Sequence, residues 1–259
     1  MTEQLDPAAV AESIPNGATV GLGGSGLQRK PMELARALAR AGRRDLRVVS
    51  FLGSLDVELL LAAGCVAELH SAGVALDGAG LAPRFRGARQ DGSVRFVEWS
   101  EGTLLCALDA AARGVPSLPT WSALGSDLPK LNDGVREGRD PFTDEPVSNV
   151  RALPLDTALL HVAAVDERGN AYVDGDLAAD GLLARAARRT VVSHEGLRAP
   201  DPQRAALSRI WVDALVESPR GALPTGCHPA YGADLDAVMR WARMGGQGGV
   251  ELLGAEARA

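Results

Sequence analysis

Ala18-Thr-Val-Gly-Leu-Gly-Gly-Ser-Gly-Leu-Gln-Arg-Lys-Pro31 decides how the chain is read, because a short apolar strand runs into four glycines and then into a helix opened by proline. Gly21, Gly23, Gly24 and Gly26 can take positive φ and bring backbone N–H groups up to a ligand with no side chain in the way. Pro31 suits a first helical turn, whose free N–H groups and dipole favour an anionic or carbonyl group. The stretch predicts an anion cradle between strand and helix.

Two nucleotide patterns lie near it and fit poorly. A P-loop needs a Ser or Thr after its lysine to hold magnesium, and here Lys30 is followed by Pro31. Gly21, Gly23 and Gly26 keep the spacing of a dinucleotide fingerprint, which is weak alone. The ribose-binding acid is out of place: Arg43, Arg44 and Asp45 precede the next strand, and Asp56 lies beyond it. A purely structural glycine turn is the other alternative.

Outward from this stretch, strand-like runs at 19–22, 46–51, 66–70 and 94–97 alternate with helical segments near 31–41, 54–63, 78–90 and 101–113. This βαβ order implies an α/β fold with a largely parallel sheet. A second set follows: a strand over 157–165, a turn at Gly169-Asn170, a short strand at 171–173, a helix near 177–187 and a strand at 190–193. It continues the sheet, so the 259 residues are read as one domain. Between the sets, 115–150 is rich in Pro, Gly, Asp and Asn and is expected to be a long functional loop.

A hydrophobic content of 46% supplies a sizeable core, and a formal charge of −6 with a pI near 5.3 argues against nucleic acid. Cys65, Cys106 and Cys227 are odd in number and far apart, which fits a reducing compartment and neither a disulfide framework nor a metal site. The acidic N-terminus lacks an apolar leader core, and no apolar run is long enough to span a bilayer. A cytoplasmic protein with no membrane contact is the expectation.

Four stretches in register carry a family resemblance over almost the whole chain: the glycine motif through Pro31, Gly114-Val115-Pro116, Asp156 to His161 through Asp166 to Ala171, and Val212 to Glu217 through Pro224-Thr225. Together they resemble the A (α) subunit of family I CoA-transferases. Arg29-Lys30-Pro31, Leu124 to Asp127 and Glu101-Gly102 are most similar to the glutaconate-type branch and to the α subunit of steroid ring-opening CoA hydrolases. The resemblance implies a three-layer α/β/α domain pairing with a B (β) subunit, commonly as an α2β2 heterotetramer, with an acyl-CoA thioester as substrate and no bound cofactor. It implies CoA transfer between carboxylic acids or hydrolytic ring opening of a cyclic CoA thioester. In the transferases a B-subunit glutamate attacks the thioester, and the resemblance assigns Gly23, Gly24 and Gly26 to oxyanion or substrate contacts. Arg29 is then suited to a substrate carboxylate.

Ser25 stands where many A subunits carry an aromatic residue, and Arg29-Lys30 replaces a small apolar pair, so the acceptor pocket is expected to differ. Glu101 matches the catalytic glutamate of the ring-opening hydrolases; the alternative is an acid favoured at a helix start, after the natural N-cap Ser100. Glu98 is read as a surface or supporting residue. Ser126 and Asp127 are candidates to line the acyl pocket, against a turn-stabilising role. Ser193-His194-Glu195 looks like a triad fragment, but strand neighbours point to opposite faces. Cys227-His228 is adjacent in the same unhelpful way, and His161 and His70 read as core histidines. A non-catalytic subunit supporting a catalytic B subunit, or a small-molecule sensor of the same architecture, are the competing functions.

Overall fold

The computed structural model describes residues 2–245. A two-residue strand, β1 (Glu3–Gln4), leads into α1 (Pro7–Ser13), where Asp6 accepts the Ala9 N–H as N-cap and proline takes the first position. Four strand–helix pairs follow: β2 (Thr19–Ser25) and α2 (Met32–Arg40), β3 (Leu46–Leu52) and α3 (Leu55–Ala62), β4 (Val66–Ser71) and α4 (Pro83–Asp91), β5 (Arg95–Glu98) and α5 (Glu101–Ala112). These are the expected elements with one change. The helix expected over 78–90 splits into a 3-10 turn at Asp77–Ala79 and α4, because Gly80 sits at φ 91° and Pro83 restarts the helix.

The segment expected to be a loop is folded. β6 (Ser117–Thr120), α6 (Leu128–Leu131), β7 (Val135–Arg139) and β8 (Pro146–Arg151) form an antiparallel sheet ordered β6-β8-β7. Its strands are short, and its prolines fall where a ladder tolerates them: Pro119 in an edge strand and Pro146 at the first position of the central one. Buried Val135 and Val150 tie this lobe to the body, in one cluster with Val97, Leu104 and Leu108. The chain then runs through β9 (Leu155–Val162), an antiparallel pair β10 (Ala164–Val165) and β11 (Ala171–Tyr172), α7 (Asp180–Ala186), β12 (Ala187–His194), β13 (Ala214–Glu217) and α8 (Leu235–Arg243).

The main sheet is ordered β1-β13-β12-β9-β2-β3-β4-β5, and every neighbouring pair is parallel. Both faces are buried, as a parallel sheet requires. Alternate residues feed two cores: Val48, Leu159 and Val191 pack with Leu34, Leu38, Leu59 and Trp241 of α2, α3 and α8, while Val49, Leu160 and Val192 pack with Leu104, Leu108 and Leu183 of α5 and α7. The result is the three-layer α/β/α arrangement.

From β2 the chain steps outward through β3, β4 and β5, then fills the other side through β9, β12 and β13. The direction reverses between β2 and β9, and the carboxyl ends of strands at such a switch point form the usual ligand crevice of an open α/β sheet. The glycine-rich turn occupies this place. Gly24 has φ +70°, and a Cβ there would lie 2.3 Å from the Gln28 carbonyl oxygen. Gly17, at φ +79°, has nothing within 4 Å of an added Cβ. Gly24→Ala is therefore expected to destabilise the protein more than Gly17→Ala, whose cost is the left-handed backbone of about 1–2 kcal/mol. Urea unfolding of the two variants side by side checks this; equal losses would contradict it.

Candidate active site

The glycine turn forms where it was expected, and its amides bond acceptors of the chain itself. Asp180, in the first turn of α7, accepts the Gly24 N–H at 2.8 Å, and the Gly26 N–H bonds the Leu52 carbonyl at 3.1 Å. Gly23 is pressed close by the same carboxylate, which would sit 2.8 Å from an added Cβ, and Gly26 packs over Asp77. Arg29, expected to face a substrate carboxylate, turns inward instead. At φ 53° and 3% exposed, it bonds Asp180 Oδ2 at 2.5 Å, the Asp176 carbonyl at 2.5 Å and the His161 carbonyl at 3.3 Å. Its donors are committed to holding the ends of β2, β9 and α7 together. Fully buried Lys30 lies beneath the turn, 3.4 Å from Asp56 and 3.3 Å from both the Gly24 carbonyl and Ser50 Oγ.

Beside this clamp runs a chain of hydrogen bonds that sequence neighbours alone do not reveal. Ser193 and Glu195 do converge, not on His194 but on His161 of β9. His161 Nδ1 lies 2.9 Å from Ser193 Oγ and Nε2 lies 2.7 Å from Glu195 Oε1. The signal is the parallel register, which sets Ser193 beside His161. His194 takes no part; its Nδ1 has no partner. Ser193 is sealed in the core and donates to the Leu160 carbonyl, so the row is built for structure. Glu195 also accepts from the Tyr231 hydroxyl and, at 2.6 Å, from the Arg220 N–H.

Burial works to raise the Glu195 carboxyl, and the bonds from His161, Tyr231 and Arg220 outweigh it, holding it below the ordinary range. A depressed carboxyl stabilises the fold fully above its unfolded value and loses that contribution as pH falls through the folded value. Glu195→Gln should thus lose stability relative to wild type at neutral pH, with the gap closing below about pH 4 as the wild-type carboxyl protonates. Urea unfolding across pH 3 to 7 checks this, and a pH-independent gap would contradict it. His161, Glu195 and Cys227 bring ligand atoms within 4.8 Å of one another. Burial pushes the Cys227 thiol up to about 12, and His161 and Glu195 are hydrogen-bonded to each other.

Glu101 opens α5 at the same carboxyl edge of the sheet, directly after β5. The helix start is served by its neighbours. Ser100 Oγ accepts the Thr103 N–H, and Thr103 Oγ1 accepts the Ser100 N–H, a complete capping box. The exposed Glu101 carboxylate makes no hydrogen bond or ion pair among the described residues. Glu98 lies on the surface, 3.5 Å from Arg89. Gly102 is in contact with the next loop: a Cβ there would fall 2.3 Å from Ser122 Oγ. This contact sets the turn after β6 against the first turn of α5, with Trp121 71% exposed beside it. Ser126 and Asp127 belong to the same turn. Ser126 Oγ donates to the Ala123 carbonyl, and Asp127 pairs with Lys130 at 2.6 Å in an exposed i,i+3 bridge.

The coenzyme A transferase family profile matches residues 6–218. The chain belongs to the coenzyme A transferase family. Within it, the cholesterol ring-cleaving hydrolase IpdA subunit of Rhodococcus jostii is 38% identical over 241 residues, 87% of this chain and 81% of that protein. The A subunit of the glutaconate CoA-transferase of Acidaminococcus fermentans is 27% identical over 248 residues, 87% of this chain and 78% of that one. The crystal structure of a variant of the decarboxylase AibA/AibB covers the whole of both chains at 35% identity and a TM-score of 0.91. The fold found here is thus shared with a protein named for a different reaction from those of the two sequence relatives.

Proposed function

We propose that this A subunit, joined by a B subunit, hydrolytically opens the ring of a cyclic CoA thioester, with Glu101 as its catalytic carboxylate. One observation carries the reading: at the carboxyl edge of the sheet Glu101 is an acid that the fold does not use, in a chain 38% identical to a ring-cleaving hydrolase subunit. As a general base Glu101 takes a proton from water, which adds to a ring carbonyl. The adjacent carbon–carbon bond then breaks towards the carbon next to an electron-withdrawing carbonyl, and that carbon receives the proton back. Water is the only co-reactant.

Gly23, Gly24 and Gly26 shape the floor of the crevice and Arg29 locks it, while oxyanion donors come from amides left free at the α5 start or from the B subunit. The turn holding Ser122, Ser126 and Asp127, with exposed Trp121, forms the wall beside Glu101, where an aromatic face suits a ring system. An α2β2 complex in the cytoplasm is the setting we propose; no helix among the described residues is long and apolar enough to cross a membrane.

CoA transfer is the second reading, favoured by the likeness to the glutaconate CoA-transferase of Acidaminococcus fermentans. The test is the product mass from the co-purified A and B subunits and a cyclic acyl-CoA, with and without a carboxylic acid acceptor. A product heavier by one water without acceptor is expected. CoA appearing on the acceptor, and no reaction without it, would overturn the hydrolase reading.

The contact between Gly102 and Ser122 gives a further expectation. Gly102→Ala should displace the Ser122 turn and raise KM with a smaller change in kcat, because the catalytic carboxylate stays in place while the wall shifts. Steady-state kinetics of the complex check this, with Ser122→Ala added to relieve the clash; a double variant no better than Gly102→Ala would contradict it.

A further inference from the structure

At the opposite, amino edge of the sheet, one row of residues crosses six strands. The register aligns Arg188, Asp156, Thr19, Arg47, Glu68 and Arg95 across β12, β9, β2, β3, β4 and β5. All six line a cleft of about 430 Å³ between the sheet and the inserted lobe, to which β8 adds Arg151.

The acids of this row are hydrogen-bonded within the fold. Glu68 accepts from Arg95 at 2.9 Å and from His70 at 2.6 Å, and Asp156 accepts the Thr19 N–H at 2.8 Å. His70 is neutral, since its Nδ1 accepts the Trp99 indole N–H at 3.1 Å and burial lowers its pKa. Asp133, exposed and without a partner among the described residues, and Asp156, exposed and met by a backbone N–H alone, work against an anion. The guanidinium groups of Arg47, Arg151 and Arg188 make no hydrogen bond or ion pair among the described residues. Arg47 acts on its neighbour Glu68 through space without bonding it, and the three guanidinium groups, from three separate strands, share one concavity. A chain of net charge −6 has no general attraction for anions, so this is a local feature.

The geometry points to a binding site for a small multivalent anion, a phosphate ester or a polycarboxylate, held by Arg47, Arg151 and Arg188. Guanidinium forks match both oxyanions bidentately, and the cleft volume falls within the range of small-ligand sites. The site lies at the other edge of the sheet from Glu101 and the glycine turn, and it stands whether the reaction proves to be hydrolysis or CoA transfer.

Isothermal titration of the assembled A and B complex with pyrophosphate and with citrate tests this. Saturable binding at one site per A subunit is expected, weakened about tenfold or more in Arg47→Gln/Arg188→Gln and by raising salt from roughly 20 to 200 mM. Whichever of the two anions binds more tightly identifies the ester or the polycarboxylate as ligand. Turnover of the double variant without added anion should equal wild type, which also reports its folding. Should the double variant fail to assemble, Arg151→Gln alone must weaken binding at least threefold. No saturable heat with either anion, or unchanged affinity in the variants, would overturn the site.

Discussion

Glu101→Gln is expected to lower turnover by the assembled complex about 10²- to 10⁴-fold, the usual loss when a positioned acid or base is removed. Stability should hardly change. The capping bonds at the start of α5 are made by Ser100 and Thr103, and the Glu101 side chain contributes none of them. Ser100→Ala is the complementary variant: losing an N-cap costs about 1 kcal/mol, with turnover falling far less than in Glu101→Gln. If Glu101 were only an acid favoured by the helix dipole, its amide would cost a few tenths of a kcal/mol and leave turnover intact. Turnover together with the melting temperature separates the two roles.

Asp180→Ala should be the most destabilising single change near the site. It leaves the buried Arg29 guanidinium without its carboxylate and the Gly24 N–H without its acceptor at the same moment. Breaking a buried ion pair from one side costs about 3–5 kcal/mol. In a chain of this size that lowers the melting temperature by roughly 10 °C. Asp127→Ala is the control, because the Asp127–Lys130 bridge is exposed on both sides and such pairs contribute about 0–1 kcal/mol. Thermal unfolding of both variants checks the contrast. A loss at position 180 no larger than that at 127 would show that the clamp does not hold the glycine turn.

The alternation of strands and helices was readable because each strand is a short apolar run bounded by turn residues and each helix has a start signal, such as Ser100 or Pro31. The glycine turn between strand and helix was readable for the same local reason. What fills it was not readable, since Asp180 lies 156 residues from Gly24 and nothing in its neighbourhood marks it as the partner. Arg29 shows the limit most clearly. A cation after a glycine turn looks like a ligand-binding group, and only the fold reveals that its backbone turns it into the core. His161 with Ser193 and Glu195 needed the register of β9 against β12, a long-range property of the sheet. The β6-β8-β7 lobe was hidden because strands of four to six residues interrupted by proline carry little periodicity.

The most direct test of Glu101 as a base acting on water is a reaction of the assembled complex in ¹⁸O-labelled water without acceptor acid, reading both the product and the peptide containing Glu101 by mass spectrometry. General-base catalysis predicts one ¹⁸O in the opened product from the first turnover and none in the Glu101 carboxylate. Label appearing in Glu101, or a CoA adduct on it, would contradict that mechanism and show the carboxylate acting as a nucleophile.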